Sequence, residues 1–216
     1  MENKGAVVLG KVYVVGAGPG DPELITLKGF FLLLSADVVI SASLVPRELL
    51  DLVRDRVVWE GRLTGETHRE VVELAVRHAT DGKTVVVLKN GDPTLFGRGV
   101  ALCREVEARG VPCEIIPGVS SLTAAAAKYK IPITEGGRPL LLTTARSGGD
   151  PDVVVFMPEG SAVGLVVEDL YGAGEKVYHG RPRGRPALVF ILRRKERDLF
   201  LGEGRGGYIQ EEAQHS

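Results

Sequence analysis

The sequence predicts an α/β protein whose first half folds around a largely parallel sheet, and three observations support this class. Short apolar segments alternate with segments that repeat apolar residues at helical spacing. Residues 84–88 form a continuous apolar run, which is typical of a central parallel strand covered on both faces. Glycine- and proline-rich turns follow three predicted strands, and such strand ends converge at the edge of the sheet where α/β proteins bind ligands.

The composition is that of an ordinary globular protein. Hydrophobic residues make up 44% and charged residues 25% of the 216 residues, and the formal net charge is −1. This balance indicates neither nucleic acid nor an anionic membrane as a partner. The apolar run of residues 30–34 is too short to span a bilayer, and the first residues show no signal-peptide pattern. We therefore expect a cytoplasmic protein.

The first turn joins a predicted strand to a predicted helix. Gly16, Gly18 and Gly20 allow a tight turn or the close approach of a ligand, and Asp21 and Pro22 suit the start of a helix. The G-x-G-x-G spacing is not the G-x-G-x-x-G of dinucleotide-binding proteins, and no Walker lysine follows. A ligand-binding loop and a simple strand-to-helix connection are equally favoured.

The segment between the first and second turns alternates helices and strands. The predicted elements are a helix through residues 30–34, a strand at 36–40, a helix at 46–54 and a strand at 57–59. A capping box formed by Thr67 and Glu70 is predicted to start a helix that ends at Gly82. This order is that of consecutive βαβ units.

The second and third turns supply polar residues at strand ends. Asp92 follows the apolar run, where it could accept hydrogen bonds from a ligand or cap the next helix, and the two roles are equally favoured. The strand Cys113–Ile116 leads to Ser120 and Ser121, which precede an alanine-rich helix at residues 122–128. Capping of that helix is the favoured role of the serines, and ligand binding is the alternative.

A chain of this length suits one large domain or two small ones, and its pattern favours two. We expect a first domain at residues 1–131, a linker at 132–139 and a second domain at 140–202. The predicted elements of the second domain are strands at residues 140–144, 153–157, 175–179 and 187–192 and a helix at 161–171. The polar residues 203–216 are predicted to fray.

Residue types that bind metals or act as nucleophiles form no recognisable pattern. Cys103 and Cys113 lack metal-ligand spacing and are interpreted as reduced thiols of the core. The four histidines share no metal spacing and pair with no nucleophile motif, so neither a metal nor a catalytic triad is expected. Seven basic residues lie between Arg181 and Asp198, where a solvated face is favoured and an anionic ligand is the alternative.

Taken together, the three turns resemble those of the tetrapyrrole methylase family, the S-adenosylmethionine (SAM) dependent enzymes of cobalamin and sirohaem synthesis. The matching segments are residues 15–22 with 24–28, 90–93 with 96–99, 117–121 with 124–127, and 131–134. Four motifs in the same order are far more specific than any one of them.

The resemblance implies two α/β domains with SAM in a cleft between them, usually in a homodimer. By position in the family motifs, the implied SAM contacts are Pro19, Asn90, Gly91, Asp92, Leu95, Ser120, Ser121, Met157 and Gly180. A tetrapyrrole of this type carries several carboxylates, and Arg47, Arg98 and Arg146 are candidates to bind them. The implied reaction is transfer of the SAM methyl group to a ring carbon, without a metal.

Within the family, residues 43–48 and 117–127 look most like precorrin-4 C-11 methyltransferases. Residues 96–99 and 131–134 look similar to uroporphyrinogen-III C-methyltransferases, which are the alternative. Ala42 stands where that second group has an acidic residue assigned to proton transfer, and Arg62 replaces the lysine of its Gly-Lys motif. Both departures favour the interpretation as a precorrin-4 C-11 methyltransferase.

The second domain departs further, because about forty residues between Arg146 and Pro186 stand where family members usually have about twice as many. A SAM- or tetrapyrrole-binding protein without catalysis is therefore a rival of another class. A nicotinamide dehydrogenase is a third reading that rests on the first turn alone.

Overall fold

The structure is a computed structural model that describes residues 9–133, 141–143, 153–156, 164–181, 183 and 187–191. The chain divides into two compact units, Met1–Ser120 and Ser121–Ser216. In the described part of the chain, no helix combines the length and the apolar character that a membrane span requires.

The first unit is built on a five-stranded parallel sheet. Its strands are β1 Lys11–Gly16, β2 Val38–Ala42, β3 Val57–Gly61, β4 Thr84–Lys89 and β5 Cys113–Ile116. Their order in the sheet is β3-β2-β4-β1-β5, and every neighbouring pair is parallel. The α/β class that the sequence predicts is confirmed.

Helices cover both faces of this sheet. Helices α1 (Leu27–Ser35) and α2 (Arg47–Asp51) pack on one face, and α3 (Gly65–Thr80) and α4 (Gly99–Glu107) pack on the other. Strand β4 alternates between the two cores, with Val85 and Val87 against α3 and α4 and with Val86 and Leu88 on the opposite side. A strand buried on both faces is therefore apolar throughout, as the run at residues 84–88 predicts.

The second unit begins with α5 (Ser121–Lys128) and contains a mixed sheet. Its strands are β6 Leu141–Thr143, β7 Val153–Phe156, β8 Gly164–Glu168, β9 Lys176–Gly180 and β10 Ala187–Ile191. The order is β6-β7-β10-β8-β9, in which only the β6–β7 pair is parallel.

The helix predicted at residues 161–171 is wrong, because β8 occupies its centre. All five residues of β8 are buried between β10 and β9, where the β-branched Val166 and Val167 suit a strand. A turn at residues 169–175 then leads into β9. Glu175 fixes this turn by accepting hydrogen bonds from the Tyr129 hydroxyl, from the Tyr171 amide at 2.9 Å and from Lys128 Nζ at 2.6 Å.

Two predicted helix starts also need correction. Asp21 caps only a single 3-10 turn at Pro22–Leu24, and α1 begins later, with Thr26 as its N-cap. The capping box of α3 is formed by Thr64 and Thr67 and not by Thr67 and Glu70. Thr67 Oγ1 accepts a hydrogen bond from the Thr64 amide at 2.9 Å, so the helix begins one turn earlier than its hydrophobic face indicates.

The interpretation of the two cysteines as reduced thiols is also wrong, because Cys103 and Cys113 form a disulfide with Cα atoms 5.5 Å apart. Cys103 lies on α4 and Cys113 begins β5. The chain reverses after α4, and the helix packs against the strand that follows it. The packing of α4 on β5 therefore brings the two side chains together, although their ten-residue separation matches no metal-binding pattern.

Candidate functional site

The three turns predicted to carry the site follow adjacent strands, since β4, β1 and β5 are neighbours in the sheet. After β1 the chain passes to the face covered by α1, whereas after β4 it passes to the face covered by α4. Connections that leave neighbouring strand ends for opposite faces open a crevice between them, which is the usual ligand site of such sheets.

The first and second turns are joined by their backbones. The Gly91 amide donates a hydrogen bond to the Gly18 carbonyl at 2.7 Å, and the Ala17 amide donates to the Lys89 carbonyl at 2.7 Å. Gly18 and Gly91 have φ angles of 83° and 59°, in the left-handed region that glycine adopts without strain. The pairing therefore depends on glycine at both positions.

The third turn packs onto the other two at Gly118. A Cβ atom at Gly16 would stand 2.6 Å from both the Gly118 Cα atom and the Gly91 carbonyl oxygen, and one at Gly118 would stand 2.2 Å from that same oxygen. Backbone on all sides leaves no room for a side chain at either position. We call Gly16, Gly91 and Gly118 the glycine contact.

Asp92 links the second turn to the third. One carboxylate oxygen accepts hydrogen bonds from the Thr94 amide at 2.7 Å and the Thr94 hydroxyl at 2.5 Å, and the other accepts from the Gly118 amide at 3.1 Å. Partial burial alone would raise the pKa of Asp92, but these hydrogen bonds outweigh it and lower the pKa. Asp92 is thus ionised and already engaged in holding the turns.

Asn90 provides a polar atom that the described residues leave unsatisfied. Its Oδ1 atom is buried and has no hydrogen-bond partner. A buried acceptor without a donor costs on the order of 1–3 kcal/mol, so such an atom at a strand end indicates a ligand with a hydrogen-bond donor.

Half-buried apolar residues lie in the first and second turns. Pro19 lies in the first turn, and Leu95 lies in the loop that connects β4 to α4. In the same loop Phe96 is 50% exposed and has a φ of 52°, which is uncommon for a bulky residue. The structure thus brings Pro19, Asn90, Gly91, Asp92 and Leu95 to one edge of the first unit.

The remaining predicted SAM contacts lie elsewhere along the chain. Ser120 is the last residue of the first unit, and Ser121 is the first residue of α5. Gly180 ends β9, opposite Gly164. Met157 lies outside the described residues, so its role stays a prediction.

The three candidate arginines differ in their surroundings. Arg47 begins α2, has a side chain that is 71% exposed, and pairs with Glu60 at 3.3 Å. Arg98 is the N-cap residue of α4, and its guanidinium nitrogens lie 3.6 Å from the point that a Cβ atom at Gly65 would occupy. Arg146 lies outside the described residues.

Lys89 is a candidate that sequence reasoning missed. It ends β4 directly before Asn90 and is only 8% exposed. Burial, and to a lesser extent the charge of Arg98, lowers the pKa of Lys89 to about 8. The available signal was a lysine that continues an apolar strand without a break.

Two other features do not belong to this edge. A cavity of about 520 Å³ lies beside α1 and α2, and its described lining includes none of the predicted SAM contacts. Across the residues that the structure describes, no group of three or more His, Cys, Asp or Glu side chains could hold a metal ion.

Comparison with protein families gives a match to the tetrapyrrole (corrin/porphyrin) methylases over residues 11–181. The chain belongs to this family. The match covers the whole parallel sheet of the first unit and extends through β9 of the second. The family prediction is therefore confirmed, and with it SAM as the class of cofactor.

The relatives and solved structures agree with this assignment. The chain is 36% identical over 202 residues to the chloroplastic SAM-dependent uroporphyrinogen III methyltransferase of Arabidopsis thaliana, covering 83% of this chain and 53% of the relative. Uroporphyrin-III C-methyltransferase of Thermus thermophilus, solved with S-adenosylhomocysteine, superposes with a TM-score of 0.68 at 32% identity, covering 85% of this chain and 98% of that one. A cobalt precorrin-4 methyltransferase superposes with a TM-score of 0.69 at 26% identity, covering 83% of this chain and 94% of that one.

The chain spans about half the length of the curated relatives that it matches.

Proposed function

We propose that the chain binds SAM at the carboxyl edge of the first sheet and transfers its methyl group to a ring carbon of uroporphyrinogen III. The observation that carries the proposal is the meeting of three turns at the glycine contact, next to Asn90, whose buried oxygen has no partner among the described residues, in a chain of the tetrapyrrole methylase family. The predicted homodimer and the cytoplasmic location stay predictions.

The residues at this edge fit the proposed cofactor. Asn90 Oδ1 needs a hydrogen-bond donor, and SAM carries amine and hydroxyl groups that can supply one. Pro19 and Leu95 offer half-buried apolar surface for the nucleoside, and Ser120 and Ser121 are the polar candidates at the third turn. Asp92 acts by holding the turns in register.

The protein's contribution to the reaction is to position the reactants and exclude water. SAM, when bound, supplies a methyl group activated by its sulfonium centre. Turns fixed by backbone packing hold a ligand in one orientation, and such positioning can account for roughly 7–11 kcal/mol of a reaction barrier in favourable cases. The glycine contact provides that rigidity, since Gly16 and Gly118 have close backbone neighbours on several sides and the Gly91 amide bonds to the Gly18 carbonyl.

Uroporphyrinogen III is the substrate that the relatives favour. The Arabidopsis relative is named for uroporphyrinogen III and the Thermus structure for uroporphyrin III, which supports the alternative over the precorrin-4 reading that the motifs favour. One observation favours precorrin-4 instead. Ala42 ends β2 in a buried position, so no carboxylate is available there for the proton transfer assigned to the uroporphyrinogen-III enzymes. Precorrin-4 stays the second candidate, supported by the cobalt precorrin-4 methyltransferase structure and by residues 43–48.

Titration calorimetry with S-adenosylhomocysteine tests the cofactor site. We expect Asn90→Leu to weaken binding at least tenfold, or about 1.4 kcal/mol, because the buried acceptor is lost. Asn90→Asp, the matched variant, keeps an acceptor oxygen and is expected to bind more tightly than Asn90→Leu. Equal affinity of all three proteins would exclude Asn90, and failure of the wild-type chain to bind would overturn the proposal.

Methyl transfer from labelled SAM tests the substrate. We expect mass spectrometry to find methylated product from uroporphyrinogen III and less or none from cobalt precorrin-4. The reverse preference would restore the precorrin-4 reading. Tight S-adenosylhomocysteine binding without transfer to either substrate would identify a binding protein.

A further inference from the structure

We propose that Lys89 and Arg98 form a carboxylate-binding site that takes an acidic side chain of the tetrapyrrole. The inference rests on the proposed function, because it concerns the same strand end and names how the substrate is oriented there. Lys89 is then a contact of the substrate and not of the cofactor.

The alternation of β4 places Lys89 on the face covered by α3 and α4. Val85 and Val87 belong to the core under these helices, and Lys89 is the next residue in the same register. Arg98 immediately precedes α4, and its guanidinium lies beside Gly65, the first residue of α3. Two basic side chains and the first turns of two helices therefore meet at one corner of the sheet.

Every one of these groups favours an anion. The N-termini of α3, which is 16 residues long, and of α4, which is 9 residues long, present positive partial charge. Arg98 lies close enough to Lys89 to disfavour its charge. The acidic residue in the first turn of α3 is Glu66, which is exposed. No carboxylate among the described residues bonds to Lys89.

Other lysines of the chain show what is missing at Lys89. Lys11 and Lys28 share Glu114, at 2.6 and 2.5 Å, and Lys128 pairs with Glu175 at 2.6 Å. Lys89 is more buried than any of these, yet it has no such partner in the part of the chain that the structure describes. A buried ammonium without a counterion is costly, and a ligand carboxylate would remove that cost.

The chemistry favours the tetrapyrrole over SAM as the source of this carboxylate. Uroporphyrinogen III carries several carboxylates and no cationic group. SAM carries one carboxylate beside an ammonium and a sulfonium, and both positive groups would be repelled by Lys89 and Arg98. A bidentate contact from Arg98 would add orientation as well as affinity.

Binding of uroporphyrin III, the stable oxidised ring with the same carboxylates, tests the site by fluorescence titration. We expect Lys89→Gln to weaken uroporphyrin binding at least tenfold and Lys83→Gln, at an exposed lysine before the same strand, to leave it unchanged. Lys89→Arg is expected to recover part of the loss. Binding of the fully methyl-esterified porphyrin should not distinguish Lys89→Gln from the wild-type chain.

S-adenosylhomocysteine titration of the same variants separates this inference from the proposed function. We expect unchanged affinity for Lys89→Gln, and in the methyl-transfer assay a rise in KM for the tetrapyrrole that exceeds any fall in kcat. Loss of S-adenosylhomocysteine binding with intact uroporphyrin binding would overturn the inference and assign Lys89 to the cofactor. Equal uroporphyrin affinity of Lys89→Gln and Lys83→Gln would also overturn it.

Lysine acetylation of the wild-type chain, read by peptide mass spectrometry, gives a test that needs no variant. Uroporphyrin should protect Lys89 several-fold from acetylation, whereas its methyl ester and S-adenosylhomocysteine should not. Absence of protection by uroporphyrin, or absence of uroporphyrin binding by the wild-type chain, would overturn the inference.

Discussion

The glycine contact and the corner at Lys89 and Arg98 lie at the same edge of one sheet but are completed in different ways. The turns of the glycine contact are joined by the protein's own groups, with Asp92 accepting hydrogen bonds from Thr94 and Gly118. The corner holds two cations for which no described residue supplies a carboxylate. Folding alone therefore fixes the first region, whereas the second is completed by a ligand.

Gly16→Ala should disrupt the glycine contact and cause the largest loss of stability. The added Cβ atom would stand 2.6 Å from the backbone of both Gly91 and Gly118, so the turns must separate. We expect the free energy of unfolding to fall by about 3 kcal/mol or more, measured by denaturant titration. Gly65→Ala is the control, because its nearest neighbour would be the Arg98 guanidinium at 3.6 Å. Equal stability of the two variants would contradict close packing at Gly16.

Removing the disulfide should act on the second region and spare the first. The bond between Cys103 and Cys113 ties α4, which follows Arg98, to β5. We expect the double variant Cys103→Ala with Cys113→Ala to lose roughly 2–3 kcal/mol, the cost of opening a loop of this length. Uroporphyrin binding should weaken while S-adenosylhomocysteine binding holds. A thermal midpoint that is insensitive to reductant in the wild-type chain would argue against the bond.

Asp92→Asn tests whether internal hydrogen bonds hold the first region. The amide cannot accept from Thr94 and Gly118 as a carboxylate does, so we expect a loss of about 1–3 kcal/mol and weaker S-adenosylhomocysteine binding. Because the pKa of Asp92 is lowered on folding, its contribution is present above pH 3.8 and disappears as the pH falls through the folded value. Denaturant titrations of wild type and variant should therefore converge at low pH, and a constant difference would contradict this origin.

Glu114→Gln removes the carboxylate that pairs with Lys11 and Lys28, and of these variants it should change the free energy of unfolding least. Hydrogen bonds from Lys11 and then Lys28 lower the pKa of Glu114 to about 2, so its contribution is present above pH 4.5 and is lost as the pH falls through about 2. The pair is at the surface, and we expect less than about 1 kcal/mol at pH 7. High salt should remove the difference in thermal midpoint between the wild-type chain and the variant, and a difference that does not depend on salt would point to packing.

The first unit could be predicted largely from sequence because its signals are local. The strand Cys113–Ile116 has the predicted bounds, and β4 extends the apolar run by only one residue, Lys89. The three turns were recognised from glycine, proline and aspartate, which impose their conformation on the residues next to them. Their convergence followed from the parallel arrangement.

The errors arose where distant contacts decide the structure. Residues 164–168 form a strand because β9 and β10 pair with them, and no local pattern records those partners. The disulfide depends on how α4 folds back on β5. Asp92 was undecided from sequence, because its bond to Gly118 spans 26 residues. Lys89 was missed because a buried lysine resembles the ordinary end of a strand.

The glycine contact also constrains how this sequence can vary. Gly16, Gly91 and Gly118 lie on three turns that are far apart in the chain, yet a side chain at Gly16 or Gly118 would meet the backbone of the other two. A substitution at one cannot be compensated by shrinking a neighbour, since glycine is already the smallest residue. Libraries made to alter substrate preference should therefore keep these three codons fixed and draw their diversity from Phe96 and Arg98 of the neighbouring loop.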